Sequence, residues 1–116
     1  MVSDDLFFKF EGDLRRGVIV LATLSQLVGA QYGYSLRQKL IEQGMEIEEG
    51  TLYPLLRRLE SQGLLTSEWR IEDGPPRRYY RLSDEGRSLY PQLVNSWRNL
   101  SVVMDNLFKE GPLNDA

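Results

Sequence analysis

Arg57 and Arg58, with Thr51 and Tyr53 a few positions before them, are the residues whose types and spacing best fit a chemical task, and that task is holding anions. A guanidinium is a rigid fork of donors that matches phosphate or the exposed edge of guanine, while a tyrosine or threonine hydroxyl donates a single bond to a phosphate oxygen. At roughly 100 degrees per residue along a helix, Leu52, Leu55, Leu56 and Leu59 share one face and Pro54, Arg57 and Ser61 the opposite one, with Tyr53 and Arg58 on the flanks. Such charges also occur as ordinary solvated side chains, Arg57 standing near Glu60 and Ser61 at helix-neighbour spacing. The surrounding architecture must decide between the two.

The rest of the composition removes chemistry rather than adding it. The 116 residues contain no cysteine and no histidine, so thiolate nucleophiles, disulfides, Cys/His zinc sites, Ser-His-Asp triads and a histidine pH switch are all excluded. The carboxylate pairs Glu48/Glu49 and Asp84/Glu85 have no basic or aromatic companions placed for proton transfer, and they read as solvated or capping charges. No glycine loop that cradles phosphate and no calcium-loop spacing occurs. The expectation is a chain without cofactor or metal that is not an enzyme.

A formal charge of -3 gives no overall attraction to nucleic acid. Surface charges act only over about 8 to 10 Å at cellular salt, so local clusters matter more than the total. With no stretch near the roughly 18 apolar residues of a membrane span and no leader pattern at the start, a single cytoplasmic domain is expected.

The elements that must position the arginines are legible as a series. Residues 13 to 27 carry apolar side chains on nearly every side (Leu14, Val18 to Ala22, Leu24, Leu27), which predicts a central buried helix. Gln31 to Gly33 reads as a turn into a second helix over residues 34 to 43, ended by Gly44. A polar connection, 45 to 49, leads to a third helix over 50 to 62, terminated by Gly63, with Pro54 near its first turn. Residues 64 to 70 and 77 to 82 then form a hairpin whose connection holds Asp73, Gly74, Pro75 and Pro76, too long for a tight turn and therefore a projecting wing.

Ser83 followed by Asp84 and Glu85 starts a long last helix. In it Leu93, Trp97, Leu100, Met104 and Leu107 repeat at intervals of four and three, a coiled-coil-like seam. Pro91 is expected to kink this helix or to mark a later start. At the other end Leu6, Phe7, Phe8 and Phe10 place large apolar groups among charges, with Gly12 as a break; this segment is expected to pack on the last helix, its own or a partner's. The predicted organisation is an N-terminal helical extension (1–12), a DNA-binding unit (13–82), a C-terminal dimerisation helix (83–110) and a frayed tail (111–116).

Helix, helix, helix, hairpin, helix is the order of a winged helix-turn-helix, mainly α with a small β-hairpin, whose third helix enters the major groove while the wing touches flanking backbone. The segment Gly50-Thr51-Leu52-Tyr53-Pro54-Leu55-Leu56-Arg57-Arg58-Leu59-Glu60 with Gly63-Leu64 resembles the signature of PadR-type regulators. Gly33-Tyr34 and Arg77-Arg78-Tyr79-Tyr80-Arg81-Leu82-Ser83 with Gly86 extend the resemblance over residues 14 to 86. A single C-terminal helix is similar to the family's small subgroup. The resemblance implies a homodimer that binds double-stranded DNA at an inverted repeat, usually as a repressor, and often release by a small aromatic or drug-like compound.

On this frame the candidate DNA contacts are Tyr34, Ser35, Thr51, Tyr53, Pro54, Arg57, Arg58, Ser61, Arg77 and Arg78. The wing tip, with Glu72 and Asp73, departs from the family's basic wings, so Arg77 and Arg78 at the base of the returning strand are expected to reach phosphate while the tip contacts little. Of Tyr79 and Tyr80, which alternate along a strand, one must face the core. Leu93, Trp97, Leu100, Met104 and Leu107 are assigned to the dimer seam. There, as the family resemblance implies, two indoles near the axis would sandwich a flat ligand, and Phe7 and Phe8 would close the space. Two other readings fit the acidic balance: a winged-helix protein-interaction module without DNA binding, and a ligand-binding dimer whose DNA role is secondary.

Overall fold

The computed structural model describes residues 2–110, and the expected tail at 111–116 lies outside them. Seven elements follow in order: α1 (Asp4–Ser25), β1 (Gln31–Tyr32), α2 (Gly33–Glu42), α3 (Glu49–Ser61), β2 (Leu65–Arg70), β3 (Arg77–Leu82) and α4 (Asp84–Glu110). The expected winged helix-turn-helix is present, with one strand more than the sequence indicates.

α1 begins where Ser3 caps it, its hydroxyl accepting from the Leu6 amide at 3.2 Å with Asp4 and Asp5 in the first turn. It then runs unbroken through Gly12 and Gly17. A glycine inside a helix costs about 1 kcal/mol relative to alanine without ending it, so the N-terminal extension and the first helix are one rod and the expected break is absent. The expected burial is also confined to one end. Thr23, Leu24 and the following Leu27 are buried, whereas Leu14 is 77% exposed and Phe7, Phe8 and Phe10 lie open, because the small core of one chain covers only the helix's last turns.

That core is Leu24 and Leu27, Leu36 and Leu40 of α2, the four leucines of α3, Leu65, Tyr80 and Leu82 of the hairpin, and Ile47. Ile47 sits in the connection that the sequence presents as polar; the Arg37 Nε donates to its carbonyl at 2.7 Å and pins the loop while the side chain turns inward. Gly44 and Gly63 end α2 and α3 in left-handed backbone at φ 94° and 83°. After each, the next amide reaches back to the helix, Met45 N to Leu40 O at 2.8 Å and Leu64 N to Leu59 O at 3.0 Å, a closure that glycine makes at least strain.

The segment expected as a turn at Gln31 to Gly33 instead contributes β1, pairing antiparallel with β3 through Gln31↔Tyr80 and Tyr32↔Tyr79. The sheet order is β1-β3-β2. A two-residue strand has no periodicity of its own, and its partner lies far along the chain. The hairpin register Ser67↔Tyr80, Glu68↔Tyr79, Trp69↔Arg78 and Arg70↔Arg77 then sorts the wing into two faces. Tyr80 and Leu82 point to the core; Tyr79 takes the other face.

α4 starts at Asp84 rather than later. Ser83 Oγ accepts from Gly86 N at 3.0 Å and donates to the Gly63 carbonyl at 2.6 Å, tying the helix start to the end of α3. Pro91 lies within the helix at an exposed position, where the carbonyl it leaves unpaired can be hydrated. Gly86 is required for a different reason. A β-carbon there would collide with the Leu64 carbonyl oxygen and press on Leu82 Cδ2 at 3.2 Å, so α4 can approach the hairpin only with glycine at this point.

Candidate nucleic-acid interface

α3 presents its two sides as the spacing requires: Leu52, Leu55, Leu56 and Leu59 are buried, while Thr51, Pro54, Arg57, Arg58 and Ser61 are exposed and Tyr53 is half-buried. Among the described residues neither Arg57 nor Arg58 has a side-chain hydrogen bond or a carboxylate partner, in contrast to Arg16, Arg70 and Arg78. Two such exposed guanidiniums, Arg57 on the outer ridge and Arg58 on its flank, are poised for an external anion. The Ser61 hydroxyl is turned back onto the Arg58 carbonyl at 2.8 Å.

One flank of α3 forms a cleft of about 440 Å³ against the wing, lined by Tyr34, Tyr53, Arg57, Trp69, Arg77 and Arg78 among others. The Tyr53 ring lies directly over Gly33, where a β-carbon would overlap ring atom Cε1. Burial, with Glu49 nearby, raises the Tyr53 phenol above its ordinary value, so it remains a neutral donor. Tyr34 is 57% exposed and stacks on Tyr32 with ring centroids 6.3 Å apart. Ser35 ties the start of α2 to β1: its Oγ lies 3.0 Å from both Gln31 Oε1 and the Tyr32 carbonyl.

The two wing arginines, adjacent in sequence, have different surroundings because strand neighbours face opposite ways. Arg78 is turned toward α3: its Nη2 is 2.7 Å from Glu60 Oε1, its Nε donates to Ser67 Oγ at 3.0 Å, and Ser67 in turn donates to Glu60 Oε2 at 2.6 Å. This closed three-residue cycle locks the hairpin to the end of α3. Its guanidinium also lies 5.3 Å from the Tyr80 ring centroid and 5.9 Å from that of Trp69. Arg77, on the other face, lies 4.6 Å over the Tyr32 ring and has no carboxylate partner among the described residues. Arg70 is held by Glu68 at 2.7 Å and lies over Tyr79. Sequence spacing gave Arg77 and Arg78 equal standing; the strand alternation that separates them was available, but the long-range partner Glu60 was not.

The other flank of α3 faces α1 across a cleft of about 470 Å³, where Thr51, Pro54 and Arg58 meet Arg15, Arg16, Ile19 and Val20. Arg15 and Arg16 were not among the sequence-derived candidates, since a helix read as buried draws attention to its apolar residues. Away from α3, α1 and α4 enclose an apolar groove of about 450 Å³ containing Leu14, Val18, Leu21, Leu93, Trp97 and Leu100. Trp97, Leu100, Met104 and Leu107 are 42 to 56% exposed, and Phe7 and Phe8, ring centroids 5.8 Å apart, also lie open without lining the groove. The described residues contain no cluster of three or more acidic side chains able to hold a metal, and no helix long and apolar enough to cross a membrane.

Comparison with known proteins agrees with this geometry. The profile of the transcriptional regulator PadR-like family matches residues 20–92. The crystal structure of a PadR family transcriptional regulator from Eggerthella lenta superposes with a TM-score of 0.83 at 44% identity, covering 93% of this chain and 96% of that one. A PadR-like transcription factor from Bacteroides fragilis gives 0.73 at 35%, covering 85% and 98%. The Mycobacterium tuberculosis transcriptional regulator Rv3488 is 49% identical over 57 residues, a match that spans 49% of this chain and about half, 53%, of that protein. With three helices, a wing, a long last helix and these relatives in agreement, the chain belongs to the PadR-like family of transcriptional regulators.

Proposed function

We propose that two copies of this chain bind an inverted-repeat operator and repress the gene it controls, each copy laying the outer ridge of α3 in a major groove. The observation that carries this reading is that Arg57, on the ridge opposite four buried leucines, and Arg58, on its flank, are both exposed and have no carboxylate partner among the described residues. Arg57 would reach base edges or phosphate, while Thr51, the Tyr34 and Tyr53 hydroxyls and Arg77 would fix register on the backbone. Pro54 and Ser61 would lie against the groove. Ser35 and Arg78 would act mainly by holding their own elements in place.

Dimerisation is supported by the apolar surface of α1 and α4. Phe7, Phe8, Trp97, Leu100, Met104 and Leu107 are each 42 to 64% exposed on these two helices, apolar surface of the kind a subunit contact covers. Two recognition helices would then sit about 34 Å apart, one duplex turn. A flat aromatic compound beside Trp97 that prefers another angle between the two C-terminal helices would shift that spacing, and release DNA only to the extent that it prefers the released geometry.

A gel shift at several salt concentrations, using the DNA upstream of the protein's own gene and a random-sequence pool, tests the reading. Salt-dependent retardation of a sequence-selected duplex is expected. Absence of any shift, with a folded dimer in the tube, would favour a winged-helix protein-interaction module instead.

A further inference from the structure

We infer that α1 forms a second wall of the DNA interface, with Arg15, Arg16 and Arg58 receiving the phosphates of the strand opposite to the one held by the wing. The inference rests on the operator-binding reading and adds a strand assignment to it.

An α-helix with its side chains is about 10 to 12 Å across and the major groove about 12 Å wide. A helix seated there therefore has one phosphate strand along each flank. α3 has a lined cleft on both. The wing-side cleft offers Arg57, Arg77, Tyr34 and Tyr53; the α1-side cleft offers Arg15, Arg16, Arg58 and Thr51 over a floor of Ile19, Val20 and Leu55.

The charges on the α1 side are not consumed internally. Arg15 donates to the carbonyl of Glu46, a neutral acceptor, and to Met45 Sδ at 3.5 Å, so its orientation is fixed with no carboxylate bonded to it among the described residues. Arg58 has no carboxylate partner among the described residues, and Arg16 has only Asp13 at 3.0 Å in an exposed pair that a phosphate can displace. These arginines also have a local task. Glu46, Glu48 and Glu49 are exposed at the approach to α3, and within a screening distance of about 8 to 10 Å they would repel a phosphate strand if nothing opposed them. Arg15 and Arg16 supply the opposing field.

The test uses the full chain and the duplex it selects from a random-sequence pool. Arg16→Ala is expected to weaken all sequences by a similar several-fold factor and to reduce the slope of log affinity against log salt by about 1, while Arg16→Lys keeps the slope. Phosphate-ethylation interference should lose one position in Arg16→Ala, on the strand opposite to the position lost in Arg77→Ala. A wild-type slope and interference pattern in Arg16→Ala, with binding still lost in Arg57→Ala, overturns the α1 wall and leaves operator binding intact. A lost position on the same strand as that of Arg77 also overturns it. Failure of the wild-type chain to select any duplex overturns both.

Discussion

The Arg78 guanidinium meets the Glu60 carboxylate at 2.7 Å, and through it the wing is fastened to the last turn of the helix proposed to read DNA. The two side chains are 37% and 26% exposed, so solvent screens the pair and Glu60→Ala is expected to cost about 1 kcal/mol of stability. Its larger consequence falls on geometry, because Ser67 and Arg78 lose their common anchor. Operator affinity should drop more than the melting temperature foretells, and circular dichroism beside a DNA titration separates the two. Equal, small changes in both would reduce the cycle to a surface ion pair.

Gly86 is the point where α4 touches the hairpin. Alanine there drives a methyl group into the Leu64 carbonyl, and overpacking of this kind costs on the order of 1 to 3 kcal/mol. Thermal unfolding of Gly86→Ala should show that loss. A melting temperature at the wild-type value would mean that α4 can back away freely.

Alkaline stability follows from two phenols. Tyr53 and Tyr80 are raised above 10.0, in both cases chiefly by burial. A group whose folded pKa exceeds its unfolded one contributes stability that is complete below the unfolded value and lost as pH rises through the folded value. With no histidine to titrate, the melting temperature should stay nearly level from about pH 6 to 9 and fall above about 10. Tyrosinate absorbance should show late ionisation coupled to unfolding; uniform ionisation of all tyrosines near 10 in the folded chain would contradict the assignment.

The seam residues make a prediction about assembly. An aromatic side chain buries roughly 150 to 250 Å² in all, and the 47% of Trp97 that its own chain leaves exposed is what a subunit contact can cover, so Trp97→Ala should shift the sedimentation equilibrium toward monomer by about tenfold. A dimer of unaltered affinity would remove Trp97 from the interface. Trp69, in the wing, supplies a control because its substitution should leave assembly alone.

What the sequence could and could not disclose follows the range of the interactions. The four leucines of α3, the glycines closing α2 and α3, the Ser83 cap and the alternation of Tyr79 and Tyr80 are local patterns, and each is in place. β1 depends on pairing with Tyr79 and Tyr80 nearly fifty residues away, and Ile47 is buried by a loop that Arg37 pins; neither leaves a periodic trace. α1 misled for another reason. Its apolar residues surround the helix, but one chain covers only its end, and the exposed remainder is surface for which the proposed dimer supplies the cover. In the site, the residue types of Arg57 and Arg78 gave no hint that one stands open while the other is tied to Glu60.

Recognition of DNA by the exposed ridge of α3 is decided by titrating a selected operator with wild-type and Arg57→Ala protein at one fixed salt concentration. The variant should lose on the order of 1 to 3 kcal/mol of binding, the cost of removing a guanidinium that reads a base, with the fold and dimer unchanged. Equal affinity of the two proteins would contradict it.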